Sequence, residues 1–593
     1  MGSLVIGAPQ YFLNDRSLVF SDSFIGISCQ QMNRFITFFL ACLLGIACKE
    51  GAPSVTPEIV LSTTGIAAEA EAGTYVFHVK CNTEWTAGVS PDWAVLSVRS
   101  GSAGTTRIEV AVQANTNSQS REALITVSAG TAGGQVRVIQ KGAEMLNISK
   151  NQFDLPASGG EISFEAAASS AITLGKTLFW IEQKPVSGNS YYFTIGENPA
   201  HFPRTGTITL GSGNIQQVVT IHQEGKKLMV DADKTGMESN AAELAAKIKI
   251  GWNLGNSLEA CADENTASET LWGNPATSKE LIDLVKRSGF NAVRIPTAWS
   301  GYIEDRNTYK IKDEWMMRVR EVVDYCVANG MYAIINIHWD GGWLENNPTY
   351  ARQAEVNKKQ KALWEQIAVA FRDYDEHLLF AGANEVHADY NRPTAEHLQV
   401  QMSYNQTFVD AVRSTGGRNA WRVLVAQGYN TNIQYTYESL VLPKDPAVNR
   451  MMAEVHYYDP YDFTLESGAS AKYLWGKDFK GSTGVSAWGQ EDWVNEAFGL
   501  MKEKFTSKGI PVILGEYAAT YRASLPANVL EDHKKARNYY LNYVTKTAKS
   551  YGLIPFYWDN GGTGNNASGI FDRPNLTVVH ADALEALLSA ADF

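Results

Sequence analysis

The sequence predicts a multidomain chain: an α/β barrel of eight strand–helix units, the TIM (β/α)8 plan, preceded by two all-β sandwiches of immunoglobulin-like type. Three observations predict it. From residue 230 onward, apolar strand-like runs alternate with amphipathic helical periods. Residues 55–142 and 146–225 carry instead short alternating strands rich in Thr, Ser, Gly and Val. Those two stretches also share residues at one fixed offset. Asn115, Arg121, Gln140 and Gly142 recur as Asn198, Arg204, Gln223 and Gly225, each 83 residues on, which is the mark of a tandem duplication.

The totals suit such a plan. A chain of 593 residues exceeds one ordinary core. Hydrophobic residues at 45% and charged residues at 19% mark a globular rather than a disordered protein. The net charge of -12 argues against nucleic acid or an anionic membrane surface as the main partner and is compatible with a neutral polymer. Six cysteines are present, Cys29, Cys42, Cys48, Cys81, Cys261 and Cys326, with no CxxC pair, so neither a disulfide framework nor a structural zinc site is expected.

Residues 1–48 read as an upstream extension followed by an address. Within them, residues 32–48 (MNRFITFFLACLLGIAC) place Arg34 before an apolar run from Phe35 to Ala47, too short to span a bilayer but suited to a signal-peptide core. The run ends in Leu44-Gly45-Ile46-Ala47-Cys48, which resembles a bacterial lipobox. The expectation is a secreted protein, held at the cell envelope by outer-membrane lipid attached through Cys48. The start at Met32 also makes residues 1–31 read as a misassigned beginning.

Each repeat, 55–142 and 146–225, has room for about seven short strands. A sugar-binding face would need exposed aromatic rings. Trp85, Trp93 and Trp180 are the candidates, and each is expected in the core instead, which makes the sandwiches a spacer.

The region 230–593 contains eight barrel-strand runs: Ile248–Gly255, Ala292–Pro296, Tyr332–His338, Leu378–Glu385, Arg422–Tyr429, Met451–Tyr458, Pro511–Tyr517 and Leu553–Asn560. Most end in a polar or aromatic residue: Asn256, Arg294, His338, Asn384-Glu385, His456, Glu516 and Trp558. Barrel strands deliver their C-terminal ends to one shared face, where such enzymes work. Seven polar ends converging there are hard to explain as solvation.

Two of these ends are glutamates, Glu385 and Glu516, on the fourth and seventh strands. Hydrolysis of a glycosidic bond with retention needs two carboxyls about 5–5.5 Å apart, one protonated and one ionised. Asn384 suits a hydrogen bond to a sugar 2-hydroxyl. Arg294 stays charged when buried and can lower the pKa of Glu516. His338 and His456 can bind sugar or fix the carboxylates, Tyr458 can hold one of them through its hydroxyl, and Trp558 can floor the reacting subsite. Asn256, Trp299 and Trp343 are further candidates for lining the substrate site, with packing the competing role for Trp299, Tyr458 and Trp558. No dense carboxylate cluster calls for a metal.

The motifs IGWNLGNSLEA, GFNAVRIPTAW, YAIINIHWDGGWLENN, LLFAGANE, AEVHYYDPYDF, PVILGEY and IPFYWDNG stand in this order across residues 248–593, and the region closely resembles glycoside hydrolase family 5, the cellulase-like branch of the retaining barrel glycosidases. The resemblance implies Glu385 as acid/base and Glu516 as nucleophile, no cofactor and no metal. Two departures stand out. Val386-His387 follow the strand-four glutamate where the family commonly has Pro, and Trp339 stands where many members carry a second His. The sandwiches resemble BACON domains through the Asn-x5-Arg pair, the strands ALITVSAG and GTITLGSG, and the endings VRVIQKG and VTIHQEG. The expected function is endo-acting cleavage of β-1,4-glucan, whether a cellulose derivative, mixed-linkage glucan or xyloglucan, by a monomer. A β-mannanase and a non-catalytic glycan-binding surface lipoprotein are the alternatives.

Overall fold

The computed structural model describes residues 55–592, and the address expected at residues 1–48, with Cys48, lies outside the described residues. The first sandwich faces a four-stranded sheet (Ile59–Leu61, Gly73–Cys81, Gly104–Val112, Ala94–Leu96) against a five-stranded one containing Arg121–Ala129 and Ala132–Gln140. The second repeats the plan with two four-stranded sheets, the duplicated hairpin now being Arg204–Ser212 and Ile215–Gln223. Alternation builds both cores. In Arg121–Ala129, Ala123, Ile125, Val127 and Ala129 turn inward and the residues between them outward.

The residues repeated at an offset of 83 form the same lock twice. Asn115 Nδ2 donates to the carbonyls of Gln119 and Lys141 at 2.8 and 2.9 Å, and Asn198 Nδ2 to those of Phe202 and Glu224 at 2.8 and 3.0 Å. Arg121 and Arg204 each donate Nε to Gln140 or Gln223 at 2.8 Å and lie over Trp93 or Trp180. A Cβ on Gly142 or Gly225 would stand 2.2 Å from a carbonyl oxygen, so only glycine fits. Trp85, Trp93 and Trp180 are 2%, 7% and 7% exposed and offer no sugar-stacking face. The second lock does one thing more: Arg204 Nη1 reaches Asp313 of the barrel at 3.3 Å, and Lys226 bridges Glu197 and Asp373 at 2.6 and 2.7 Å.

Eight parallel strands close the barrel: β1 (Gly251–Leu254), β2 (Ala292–Ile295), β3 (Tyr332–Asn336), β4 (Leu378–Ala381), β5 (Leu424–Gln427), β6 (Met451–Tyr457), β7 (Val512–Tyr517) and β8 (Leu553–Asp559). Each falls inside one of the runs read from the sequence. Both faces of every strand are buried, which is why the runs are nearly unbroken apolar segments. One set of residues packs outward on the helices, for example Val293, Phe380, Val455 and Leu514. The other fills the barrel interior: Ala292, Ile334, Leu379, Val425, Met452, Ile513 and Phe556, with Leu244 packed among them from the helix Ala241–Lys247. Above this apolar layer the inward positions turn polar, and there the site is built.

Candidate active site

Period two carries the interior face upward from Ala292 to Arg294, from Ile334 to Asn336, and from Met452 to Glu454 and His456. On β7 the same rule would send Glu516 outward with Val512 and Leu514. A bulge prevents this: Val455 pairs with Leu514 but His456 pairs with Glu516, so Gly515 is an extra residue and the glutamate turns inward. A Cβ at Gly515 would lie 2.1 Å from Glu454 Oε1, so a larger residue there would displace a carboxylate that Gln427 and Arg294 hold in place.

Arg294 is fully buried and is the hub. Its Nη1 donates to Glu516 Oε1 at 2.9 Å and to Asn253 Oδ1 at 3.0 Å, its Nη2 donates to Asn384 Oδ1 at 2.8 Å, and its Nε lies 2.9 Å from Glu454 Oε1. A guanidinium suits this place, being a planar fork that stays charged when desolvated. Tyr458 donates its hydroxyl to the other oxygen of Glu516 at 2.9 Å. Glu516 is therefore gripped at both oxygens, and its side chain is 7% exposed.

Glu385 is held differently. Strand β4 ends at Ala381, so the glutamate sits on the loop beyond it with its side chain 27% exposed. His456 Nδ1 lies 2.5 Å from Oε1 of Glu385 and 3.8 Å from Oε1 of Glu516, while Nε2 lies 3.3 Å from Glu454. One polar side-chain atom from each of Glu385, His456 and Glu516 lies within 4.8 Å of the others. This puts the two carboxyls in the close range of retaining glycosidases and well short of the roughly 6.5–9.5 Å that inversion needs. The positive charges among these acids are the protein's own, from Arg294 and His456.

Burial alone would lower the imidazole of His456, but the charge of Glu516 and the hydrogen bonds to Glu385 and Glu454 reverse this and push it up to about 10. Burial raises Glu385, yet the hydrogen bond and charge of His456 outweigh it and hold this carboxyl below its ordinary value. Burial leaves Glu516 above its ordinary value, with the charge of Glu385 adding to the rise and His456, Arg294 and Tyr458 opposing it. These opposing shifts favour a proton on His456, in a short hydrogen bond to Glu385. The charged imidazole stabilises the fold fully below its ordinary 6.5, and that contribution is lost as pH rises through about 10. Removing one partner from a buried ionic network is costly, so His456→Gln is expected to lose about 3 kcal/mol near neutral pH. Its deficit should narrow as the solution is made alkaline. Denaturant titrations of both proteins across that range check this, and a deficit independent of pH contradicts it.

The other expected residues fall into two groups. Asn384 is 4% exposed. Its Oδ1 takes Arg294 and one N–H goes to Glu345 Oε2 at 3.2 Å, which leaves its second N–H for a ligand. His338 accepts from Asn336 Nδ2 at its Nδ1, so its ring proton sits on Nε2. Burial, with Arg294 nearby, holds it well below its ordinary pKa and neutral. It stacks at 5.9 Å and 9° on Trp558, which lines the cleft. Trp299 and Trp343, expected to line the substrate site, do not: both lie in the layer between strands and helices. Trp299 Nε1 donates to the Asn336 carbonyl at 2.8 Å, and Trp343 Nε1 to Asp340 Oδ2 at 2.7 Å. Asn256 is likewise a turn residue, with φ of 58° and its backbone N–H bonded to the Glu259 carboxylate.

Sequence reasoning missed Glu454 and Glu345. Stepping back two residues from His456 would have found the first, because alternate strand residues share a face. No sequence pattern marks the second. Glu345 belongs to the loop after β3, and its Oε2 accepts from the backbone N–H of Glu385 at 3.0 Å as well as from Asn384. Its backbone carbonyl takes the N–H of His387 at 2.8 Å. It tethers the segment that carries Glu385. Burial, and then the charge of Glu385, push its carboxyl up to about 8.

The two acids open into a cleft of about 710 Å³ with Tyr390, Tyr461 and Trp493 on its walls. The family model for cellulase (glycosyl hydrolase family 5) matches residues 257–564, and two BACON models, described as a putative N-terminal binding domain and a viral BACON domain, match residues 83–141 and 145–226. A xyloglucan-specific endo-β-1,4-glucanase of Bacteroides ovatus is 38% identical over 474 residues, covering 77% of this chain and 91% of that protein. The solved structure of a Bacteroides ovatus family 5 xyloglucanase in complex with a XXXG heptasaccharide aligns over 91% of this chain and 100% of its own, with a TM-score of 0.60 and 32% identity. A broad-specificity endoglucanase from Ruminococcus champanellensis with bound cellotriose aligns over 59% of this chain and 99% of its own, at a TM-score of 0.53 and 36% identity. With its barrel matched by the family model and a relative followed over nine-tenths of its length, the chain belongs to glycosyl hydrolase family 5, the cellulase family.

Proposed function

We propose that this protein is an endo-acting, retaining β-1,4-glucanase, with Glu516 as nucleophile, Glu385 as acid/base and xyloglucan among its substrates. One observation carries the assignment: two carboxyls with oxygens within 4.8 Å of each other at the mouth of a barrel, one rigidly gripped and one on an open loop. A nucleophile must be fixed in position, as Glu516 is by Arg294 and Tyr458. An acid/base must exchange its proton with the leaving group and then with water, which suits the more exposed Glu385.

In the first step an oxygen of Glu516 bonds to the anomeric carbon, the glycosidic C–O bond breaks, and the proton shared between His456 and Glu385 passes through the Glu385 carboxyl to the leaving oxygen, leaving the imidazole neutral. Attack neutralises Glu516. That removes the charge that most raises His456, so the proton shared by His456 and Glu385 becomes more acidic as it is needed. In the second step Glu385 takes a proton from water, the hydroxide oxygen bonds to the same carbon, and the ester to Glu516 breaks. Substrate extent is supported by the open cleft, which suits attack within a chain, and by the relatives named for xyloglucan and for broad β-glucan specificity.

The test is release of reducing ends from xyloglucan, mixed-linkage glucan, carboxymethylcellulose and mannan, with the first-formed anomer followed by NMR. Cleavage of the glucans with the β anomer appearing first is expected. An α anomer appearing first, or cleavage of mannan alone, overturns the reading.

A further inference from the structure

Next to the catalytic cleft lies a second groove of about 780 Å³, which shares Trp493 and Glu496 with it. Its walls come from the long segment between β6 and the helix Glu491–Lys504, and from Tyr539 and Tyr543 of the helix Ala527–Ser550. Two indoles stand in it. Trp488 is 45% exposed and Trp493 is 37% exposed. Their centroids are 6.2 Å apart with the rings at 73°, so they form a corner rather than a sealed stack. Of the twelve tryptophans after residue 230, six are buried and three, Trp272, Trp488 and Trp493, are exposed. Exposing two of these side by side along one groove wastes apolar surface unless something flat and partly apolar covers it.

The corner is built to hold its shape. Trp493 Nε1 donates to Asp459 Oδ2 at 2.9 Å, which ties this wall to the end of β6. Buried Trp475 donates to the Gly489 carbonyl at 2.7 Å, the backbone N–H of Gly476 donates to Gln490 Oε1 at 2.9 Å, and Gln490 Nε2 donates to the Ser486 carbonyl at 2.9 Å. The segment carrying Trp488 is thereby pinned on both sides. Glu496, exposed at the junction of cleft and groove, has no protein partner among the described residues, so its carboxylate is free to accept sugar hydroxyls.

We propose that this groove is a distal saccharide subsite, in which Trp488 stacks on a sugar ring of the same β-glucan chain whose scissile bond lies between Glu385 and Glu516. The occupant is a neutral pyranose. Its axial C–H bonds meet the indole face, and its hydroxyls meet Glu496 at the junction. The continuous path from the cleft past Trp493 makes the occupant part of one chain rather than a separate ligand. The subsite rests on the proposed glucanase reading and extends it from the reacting sugars to substrate length.

The experiment compares Trp488→Ala and Trp488→Phe with the native chain on xyloglucan and on an aryl cellobioside too short to reach the groove. Stacking of this kind is worth about 1 kcal/mol, so Trp488→Ala is expected to raise KM for the polymer roughly fivefold to tenfold, with kcat little changed. The aryl cellobioside should be cleaved within about twofold of the native rate, since a surface substitution away from the reacting atoms costs little. Trp488→Phe, keeping a flat ring, should recover most of the polymer affinity. Retardation of Glu516→Gln in a xyloglucan gel, with and without Trp488→Ala, reads binding without turnover and should weaken in the double variant. If the native chain cleaves glucan but Trp488→Ala matches it on the polymer, or loses equally on both substrates, the subsite is overturned and the catalytic assignment stands. If the native chain cleaves no β-glucan, the catalytic assignment falls and the subsite falls with it.

Discussion

Glu516→Gln is expected to lose turnover on every glucan by a factor on the order of 10⁴ or more, because the covalent step disappears rather than slows. The fold should survive. A glutamine amide has nearly the volume of the carboxylate, its oxygen can still accept from Arg294 Nη1 or from the Tyr458 hydroxyl, and Arg294 keeps Glu454 at 2.9 Å. Binding of an uncleaved xyloglucan oligosaccharide, measured by calorimetry, should therefore change far less than kcat. A stricter check uses Glu516→Gly with added azide and an activated aryl glycoside. The anion enters the space the side chain vacates, attacks from that face and inverts the anomeric centre once, so an α-glycosyl azide is expected. A β-glycosyl azide from this variant would exchange the roles of Glu516 and Glu385.

Much of this arrangement was legible in the residues, and the reason is geometric. A parallel barrel strand is buried on both faces, so it is written as an apolar run that stops where the chain meets the open end. The stop marks the polar layer, which is how Arg294, His338, Glu385, His456, Glu516 and Trp558 stood out. What the runs could not show is where the strand itself ends. The run Leu378–Glu385 outlasts β4 by four residues, and that difference is physical. Glu385 rides on a loop and needs a tether, supplied by Glu345 from another loop 40 residues earlier, a relation with no period in sequence. The bulge at Gly515 is similar. The sequence PVILGE reads as a strand ending in an acid, but simple alternation would send that acid to the helix layer. The aromatic candidates divided for a third reason. An indole beside a strand end has the same one-letter signature whether it lines the cleft, as Trp558 does, or packs under the helices, as Trp299 and Trp343 do.

Glu385→Ala should behave differently from Glu516→Gln, and the difference follows from the roles proposed for the two groups. On xyloglucan, whose leaving group is a poor alkoxide, loss of the general acid is expected to lower kcat by roughly 10²–10⁴. On a dinitrophenyl cellobioside the leaving group departs without protonation, so the first step should run nearly as before. The glycosyl ester on Glu516 should then accumulate, because no base remains to activate water, and a burst of dinitrophenolate followed by slow turnover is the expected record. Azide should relieve the slow step and give the β-glycosyl product, since it attacks the ester from the side Glu385 leaves open. The pH profile adds an independent reading. In the proposed mechanism the first step uses the proton held between His456 and Glu385, and His456 is pushed up to about 10, so activity on polymer should persist into alkaline solution and fall as that proton is lost. In Glu385→Ala acting on the activated substrate, the alkaline fall in the burst rate should vanish, because the proton is no longer used. A variant that shows no burst, or keeps the native alkaline limb on the activated substrate, would place the general acid elsewhere in the site.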